Sequence, residues 1–323
     1  MEMKNTILAG LVLLLAFLLI SASGCSTQNQ PVGSNPFVGG TTGLAISFME
    51  NYPPLSIYDS GTTPFNIDVN LENKGEWEVK KEDVIVRILG INPAEFGVAF
   101  TDLMKQPDDD LPPVIKQSGT NEVTASTPVT VEFPEMNYGS TNVGNLPAMN
   151  LVARVCYLYG TNAMAEVCVK KNPMDTSTKI CTVEGYKTVY NSGAPVQVVN
   201  FHQSQVGRNK VGFSFTIQQK GTGKVYEKST KCGLDTTPRE NRVWVEVTAS
   251  GWDAIRCTGL QGGNSGTVII PSSTDKSGSA GFTITCTQDI ETQTDYPQAV
   301  NLKLMYDYEE DAVTTLTVKH TQI

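Results

Sequence analysis

Apolar and polar residues alternate with a period of two in segment after segment of this chain. The clearest runs are DVIVRIL (83–89), PVTVEF (128–133), ARVCYLY (153–159), RVWVEVT (242–248), GFTITC (281–286) and LKLMYDY (302–308). Val, Ile, Phe, Tyr and Thr supply the apolar set, the pattern of half-buried strands in antiparallel sheets. Between the runs lie turn-forming clusters: NKG (73–75), DDDLPP (108–113), QKGTG (219–223) and GGNSG (262–266). Helical periodicity is absent apart from a short turn across Pro93 to Met104. Short strands punctuated by such turns predict an all-β fold built of sandwiches.

The runs also repeat. ARVCYLYGTNAMAEVCVKK (153–171) aligns with LKLMYDYEEDAVTTLTVKH (302–320), matching Tyr157 and Tyr159 to Tyr306 and Tyr308. FNIDVNLENKGEWEV (65–79) aligns with GFSFTIQQKGTGKV (212–225), placing Ile67, Val69 and Leu71 on Phe213, Phe215 and Ile217, and Lys74-Gly75 on Lys220-Gly221. DVIVRIL matches RVWVEVT, and PVTVEF matches GFTITC. Matched segments in the same order predict two copies of one domain. Their bounds are 43–171 and 180–323, with NPMDTSTK (172–179) as a polar linker. The strand, Asn-x-Gly or Gln-x-Gly turn, strand pattern resembles immunoglobulin-like surface modules, nearest to CARDB-type adhesion-related domains. That resemblance implies two tandem immunoglobulin-like sandwiches with a binding or structural role. Copy one has an insertion at 92–121 and copy two an extra loop at 228–241. Sandwich loops are where function varies, so these are the expected partner-binding places.

The N-terminus changes where such a protein works. Lys4 precedes an apolar run, Ile7 to Ile20, too short to span a bilayer comfortably. Ser21-Ala22-Ser23-Gly24 then leads into Cys25, and the whole reads as an export signal over residues 1–24. Ala-Ser-Gly-Cys resembles the lipobox of prokaryotic lipoproteins, with Ala22 where that family usually carries Leu. The resemblance implies lipidation of Cys25 and attachment to the outer face of the cytoplasmic membrane; the alternative is an uncleaved anchor helix with the same outward placement. Residues 25–42, rich in Ser, Gln, Asn, Gly and Pro, read as a flexible tether.

Seven cysteines less Cys25 leave six, an even number suited to disulfides in an oxidising compartment. If residues 150–171 form a hairpin, Cys156 and Cys168 face each other on its outer side, with Tyr157 and Tyr159 on the core side. The expected pairs are 156–168, 257–286 and 181–232. Zinc is disfavoured because only two histidines exist, His202 and His320, both in the second copy.

The net charge of −9 disfavours nucleic-acid binding, which needs a concentrated basic patch. Asp108, Asp109 and Asp110 form the densest acidic cluster and the best calcium candidate, although without EF-hand spacing. Trp77 and Trp252 are candidates for stacking on a sugar, against the commoner role of packing; Trp244 is a weaker one. No G-x-S-x-G elbow is present, and GGNSG is followed by no helix pattern that would hold a phosphate. The expectation is a non-enzymatic, cofactor-free envelope protein binding another envelope protein or a glycan. The alternatives are a solute- or glycan-binding lipoprotein and, further off, a secreted hydrolase.

Overall fold

The computed structural model describes residues 35–117, 122–142, 144–175, 177, 180–234, 237–261, 263–272 and 281–320. The export signal, Cys25 and the start of the tether lie outside the described residues. Pro36–Ile323 clusters as one compact unit. Its first nine strands are β1 (Leu44–Phe48), β2 (Ser56–Tyr58), β3 (Asp68–Asn73), β4 (Val84–Leu89), β5 (Met104–Lys105), β6 (Ile115–Lys116), β7 (Val123–Thr124), β8 (Val129–Glu132) and β9 (Met149–Val169). The rest are β10 (Gly185–Tyr186), β11 (Val189–Asn191), β12 (Val196–Gln205), β13 (Lys210–Gln219), β14 (Lys224–Tyr226), β15 (Arg242–Ala249), β16 (Arg256–Thr258), β17 (Ser265–Ile269), β18 (Phe282–Asp289) and β19 (Tyr296–Lys319). The fold is all-β. The only helical pieces among the described residues are short 3₁₀ turns, two of them at Pro93–Phe96 and Phe100–Leu103, inside the segment where a turn is expected.

A small sheet ordered β1-β3-β8 belongs to copy one, and one ordered β10-β12-β13-β18-β16 to copy two. The third sheet is shared. Its order is β17-β15-β19-β9-β4-β5, with β11 also on β9, and β14 and β2 also on β19. The repeats are equivalent in space as well as in sequence. β3 lies between β1 and β8 as β13 lies between β12 and β18, and β4 pairs with β9 as β15 pairs with β19.

The expected hairpin at 150–171 does not form. Met149–Val169 is one continuous strand, antiparallel to β19 from Met149↔Leu316 to Val169↔Tyr296. The Gly160-Thr161-Asn162 stretch that resembles a turn is extended for local reasons. A Cβ on Gly160 would overlap the Trp77 ring, so glycine here admits an indole rather than a bend. Thr161 Oγ1 donates to Val196 O at 2.6 Å, and the Asn162 backbone N–H donates to Ser192 Oγ at 2.9 Å. The first half of β9 therefore pairs with β4 of copy one, while its second half reaches β11 of copy two. β19 crosses the other way, with β15 of copy two on its first half and β2 of copy one at its end.

A local two-fold relation follows from register and repeat together. Leu158 and Asp307 are counterparts in the duplication and also face each other across the ladder, so the dyad passes between them. Around it Tyr157 pairs with Tyr308 and Tyr159 with Tyr306, all four at most 1% exposed, with neighbouring rings 5.7–6.5 Å apart. Tyr157 Oη accepts from Leu44 N at the start of β1, and Tyr306 Oη from Val196 N at the start of β12. Odd-numbered residues of β9 from Leu151 to Val169 all face one continuous core that includes side chains of both copies. The tyrosine face is the core face.

The last part of the expected tether is held in place. Glu76 accepts backbone hydrogen bonds from Val38 and Gly39 (2.9 Å each) and from Gly193 (2.7 Å). Gly40 O accepts from Ala194 N and from Gln197 Nε2. Residues 38–40 thus contact both copies at once.

Candidate functional site

Insertion 92–121 is fastened by apolar anchors, since Phe96, Leu103 and Leu111 are buried. Its acidic run turns back on the 3₁₀ turn Lys81–Asp83. Lys81 N and Lys80 Nζ each donate to the Asp110 carboxylate at 3.0 Å, Lys81 Nζ donates to Asp108 O at 2.7 Å, and Gln106 Nε2 donates to Glu82 O at 3.0 Å. The Asp110 carboxylate is thus engaged by Lys80 and by the Lys81 backbone. Among the described residues no group of three or more acidic, histidine or cysteine side chains is arranged to hold a metal.

The loop 228–241 approaches the same turn from the other copy. Its start is organised by Asp307, whose carboxylate accepts from Ser229 N and Thr230 N at 2.8 Å and from Cys232 N at 3.4 Å. Burial raises the Asp307 carboxyl above its ordinary value, opposed by these donors. Cys232 then bonds to Cys156 on the outer face of β9. The Asp83 carboxyl is raised by burial and by Glu82, with Lys231 of this loop acting against them. The first insertion is hydrogen-bonded to Lys81–Asp83, and Lys231 of the second acts electrostatically on Asp83.

Beside them the outer face of the shared sheet carries a paired charge cluster. Arg154 Nε and Nη2 donate to the two Asp311 carboxylate oxygens at 2.8 and 2.7 Å. Arg87 Nη2 donates to Glu309 at 3.2 Å, and Tyr226 Oη donates to the other Glu309 oxygen at 3.3 Å. Glu309 is 6% exposed, so two arginines and a phenol compensate a nearly buried carboxylate. Burial and Glu309 push the Tyr226 hydroxyl up to about 12. Arg154, Thr222, Gly223, Lys224 and the 309–311 carboxylates line a recess of about 230 Å³. Arg154 pairs with Glu309 and Asp311 here, and Thr222 Oγ1 donates to Glu310, contacts that hold this surface in shape.

The structure reassigns the cysteines. All six described cysteines are paired, as 156–232, 168–181 and 257–286. The pair 257–286 is the expected one, directly opposed on β16 and β18. The expected pairs 156–168 and 181–232 do not occur, because a straight strand separates Cys156 from Cys168. Each instead takes the cysteine of the loop that covers its end of β9. Cys156 is 2% exposed beneath Tyr226 and Cys232, so it is buried on the outer face rather than displayed there.

Of the tryptophans, Trp77 lies on Gly160 with Lys303 Nζ 5.3 Å from its ring centre, and Lys228 Nζ stands 3.9 Å over Trp244. Trp77 and Trp252 are partly buried against the core. His202 Nδ1 contacts Ser204 Oγ at 3.1 Å, while His320 Nδ1 meets the fully buried Asp59 carboxylate at 2.9 Å, tying the end of β19 to the residue after β2. Sequence reasoning missed Asp307 and Glu76. The signal for Asp307 was the repeat itself, since copy one has Leu158 there and copy two a carboxylate.

No protein-family model matches this chain, and no curated protein matches it either. The three disulfides fit an oxidising compartment outside the cytoplasm. No helix among the described residues is long and apolar enough to cross a membrane.

Proposed function

We propose that this chain is a non-enzymatic, lipid-anchored protein of the cell envelope that presents a rigid pair of immunoglobulin-like sandwiches to a protein or glycan partner. The observation that supports this reading is that one insertion is hydrogen-bonded to Lys81–Asp83 and Lys231 of the other acts electrostatically on Asp83. Loops from two copies, fixed by a disulfide and by a buried carboxylate, form one surface of the kind that binds without rearranging. Cys25 supplies the lipid, and the segment after it holds the folded part at the membrane.

Photo-crosslinking groups at Asp109 and Thr237 on intact cells test the partner surface. Both positions are expected to trap the same species, while a group at Thr285 on the far sheet traps none. Crosslinking from Thr285 alone, or from no position, refutes the loop surface. Loss of metabolic lipid labelling in Cys25→Ser is the expected result for the anchor, and unchanged labelling refutes it separately.

A further inference from the structure

One end of the second sandwich carries a concavity away from both insertions, with the loop closed by the Cys168–Cys181 disulfide along one side. It is an open cleft of about 830 Å³, lined by Lys171, Asn172 and Asp175 after β9, Arg208 and Asn209 in the β12–β13 turn, and the 293–295 loop before β19. Ile180 adds an apolar wall.

Two cations, Lys171 and Arg208, and two carboxylates, Asp175 and Asp295, line the cleft. Neither the Lys171 ammonium nor the Arg208 guanidinium makes an ion pair or hydrogen bond among the described residues. The acids are already engaged. Asp295 Oδ1 accepts from Lys171 N at 3.0 Å, and Asp175 Oδ1 accepts from Ser177 N at 2.8 Å. Hydrogen bonds from Ser177 hold the Asp175 carboxyl below its usual value, so it stays a charged, satisfied acceptor. Arg208 also lines a smaller recess with Lys170 and Lys210. There Lys170 Nζ donates to Asp175 O at 2.7 Å and Lys210 pairs with Asp289 at 3.2 Å, leaving Arg208 as the available fork. A planar guanidinium without a partner is matched to a carboxylate, sulfate or phosphate.

We propose that this cleft binds an oxyanion-bearing ligand of monosaccharide size, with Arg208 as the bidentate anchor and Lys171 as the second charge. Asn172, Asn209 and Thr294 supply neutral donors and acceptors of the kind a sugar ring needs, and the volume lies within the ~300–1,000 Å³ of small-molecule sites. An acidic sugar combines both requirements. The site is independent of the anchor and of the insertions.

Calorimetric titration of the full chain in detergent micelles tests this with three probes: sodium glucuronate, glucose and inorganic phosphate. Glucuronate is expected to bind saturably, more weakly as salt is raised, and glucose not at all. Arg208→Gln and Lys171→Gln should each weaken glucuronate by about tenfold or more, the loss of one charge-assisted contact. Lys319→Gln, remote from the cleft, should not. Phosphate binding as tightly as glucuronate supports a site that reads the oxyanion alone; glucuronate binding more tightly supports one that reads the ring too. Absence of saturable binding by either anion, glucose equal to glucuronate, or unchanged affinity in both cleft variants overturns the proposal.

Discussion

Removing the Cys156–Cys232 bond should cost more than removing either other disulfide, because it closes the longest loop. The sequence separations are 76 for 156–232, 29 for 257–286 and 13 for 168–181. Loop-closure entropy converts the longest to about 4.5 kcal/mol and the shortest to about 3 kcal/mol at 25 °C. The perturbation is Cys156→Ala with Cys232→Ala, compared with Cys168→Ala with Cys181→Ala; alanine avoids burying a hydroxyl beside Tyr226. Non-reducing digestion and mass spectrometry establish the pairing first, and urea unfolding of the two variants then measures the difference, expected near ~1.5 kcal/mol. Graded reduction adds a second readout. Cys181 is half-exposed, whereas the cysteines of the other two pairs are buried, so 168–181 should open first. A peptide linking Cys156 to Cys168 would refute the straight strand. Equal losses in the two variants would refute the loop argument.

Gly160→Ala should destabilise by roughly 1–3 kcal/mol, the usual cost of overpacking, since its methyl must displace the Trp77 ring; urea unfolding and a shift in tryptophan emission read it, and an unchanged midpoint would show that the indole does not lie on this strand. Acidification from neutral to about pH 5 should hold or raise stability. Burial lifts Asp68, Asp83, Asp307 and Glu310 above their ordinary values. Between those ordinary values and the raised ones the folded chain binds more protons than the unfolded chain, so stability falls as pH rises through that window and is regained on acidification. Asp110 and Asp175, held low, act in the opposite sense only once pH drops below their unfolded values. Asp307→Asn should flatten the gain, and a urea midpoint that falls steadily from neutral pH would contradict the assignment.

Much of the fold was legible because strand periodicity and repetition are local signals. The matched segments became topologically equivalent strands, the tyrosine face became the core face, and Cys257 and Cys286 fell opposite each other. The candidate surface was half legible. Insertions 92–121 and 228–241 were visible as departures between the copies, but nothing in either predicts that the first bonds to Lys81–Asp83 or that Lys231 of the second acts on Asp83. That Lys80 and Lys81 close on Asp110 is likewise visible only once the chain is folded. The unpaired Arg208 has no signature at all, because an arginine is unpaired only with respect to what surrounds it.

The sequence by itself determined which side chains of residues 150–171 face the core. It could not determine whether that segment turns back or runs on. Folding it into a hairpin that opposes Cys156 and Cys168 places odd residues against odd residues, so alternation is the same in a hairpin and in a straight strand. Tertiary packing decided. Trp77 takes the space above Gly160, Ser192 and Val196 take the polar groups of Asn162 and Thr161, and β19 offers a ladder along nearly the whole strand. Those partners come from both repeats. Once the strand runs straight, the sandwiches share a sheet, and each cysteine meets the partner that the sheet brings to it.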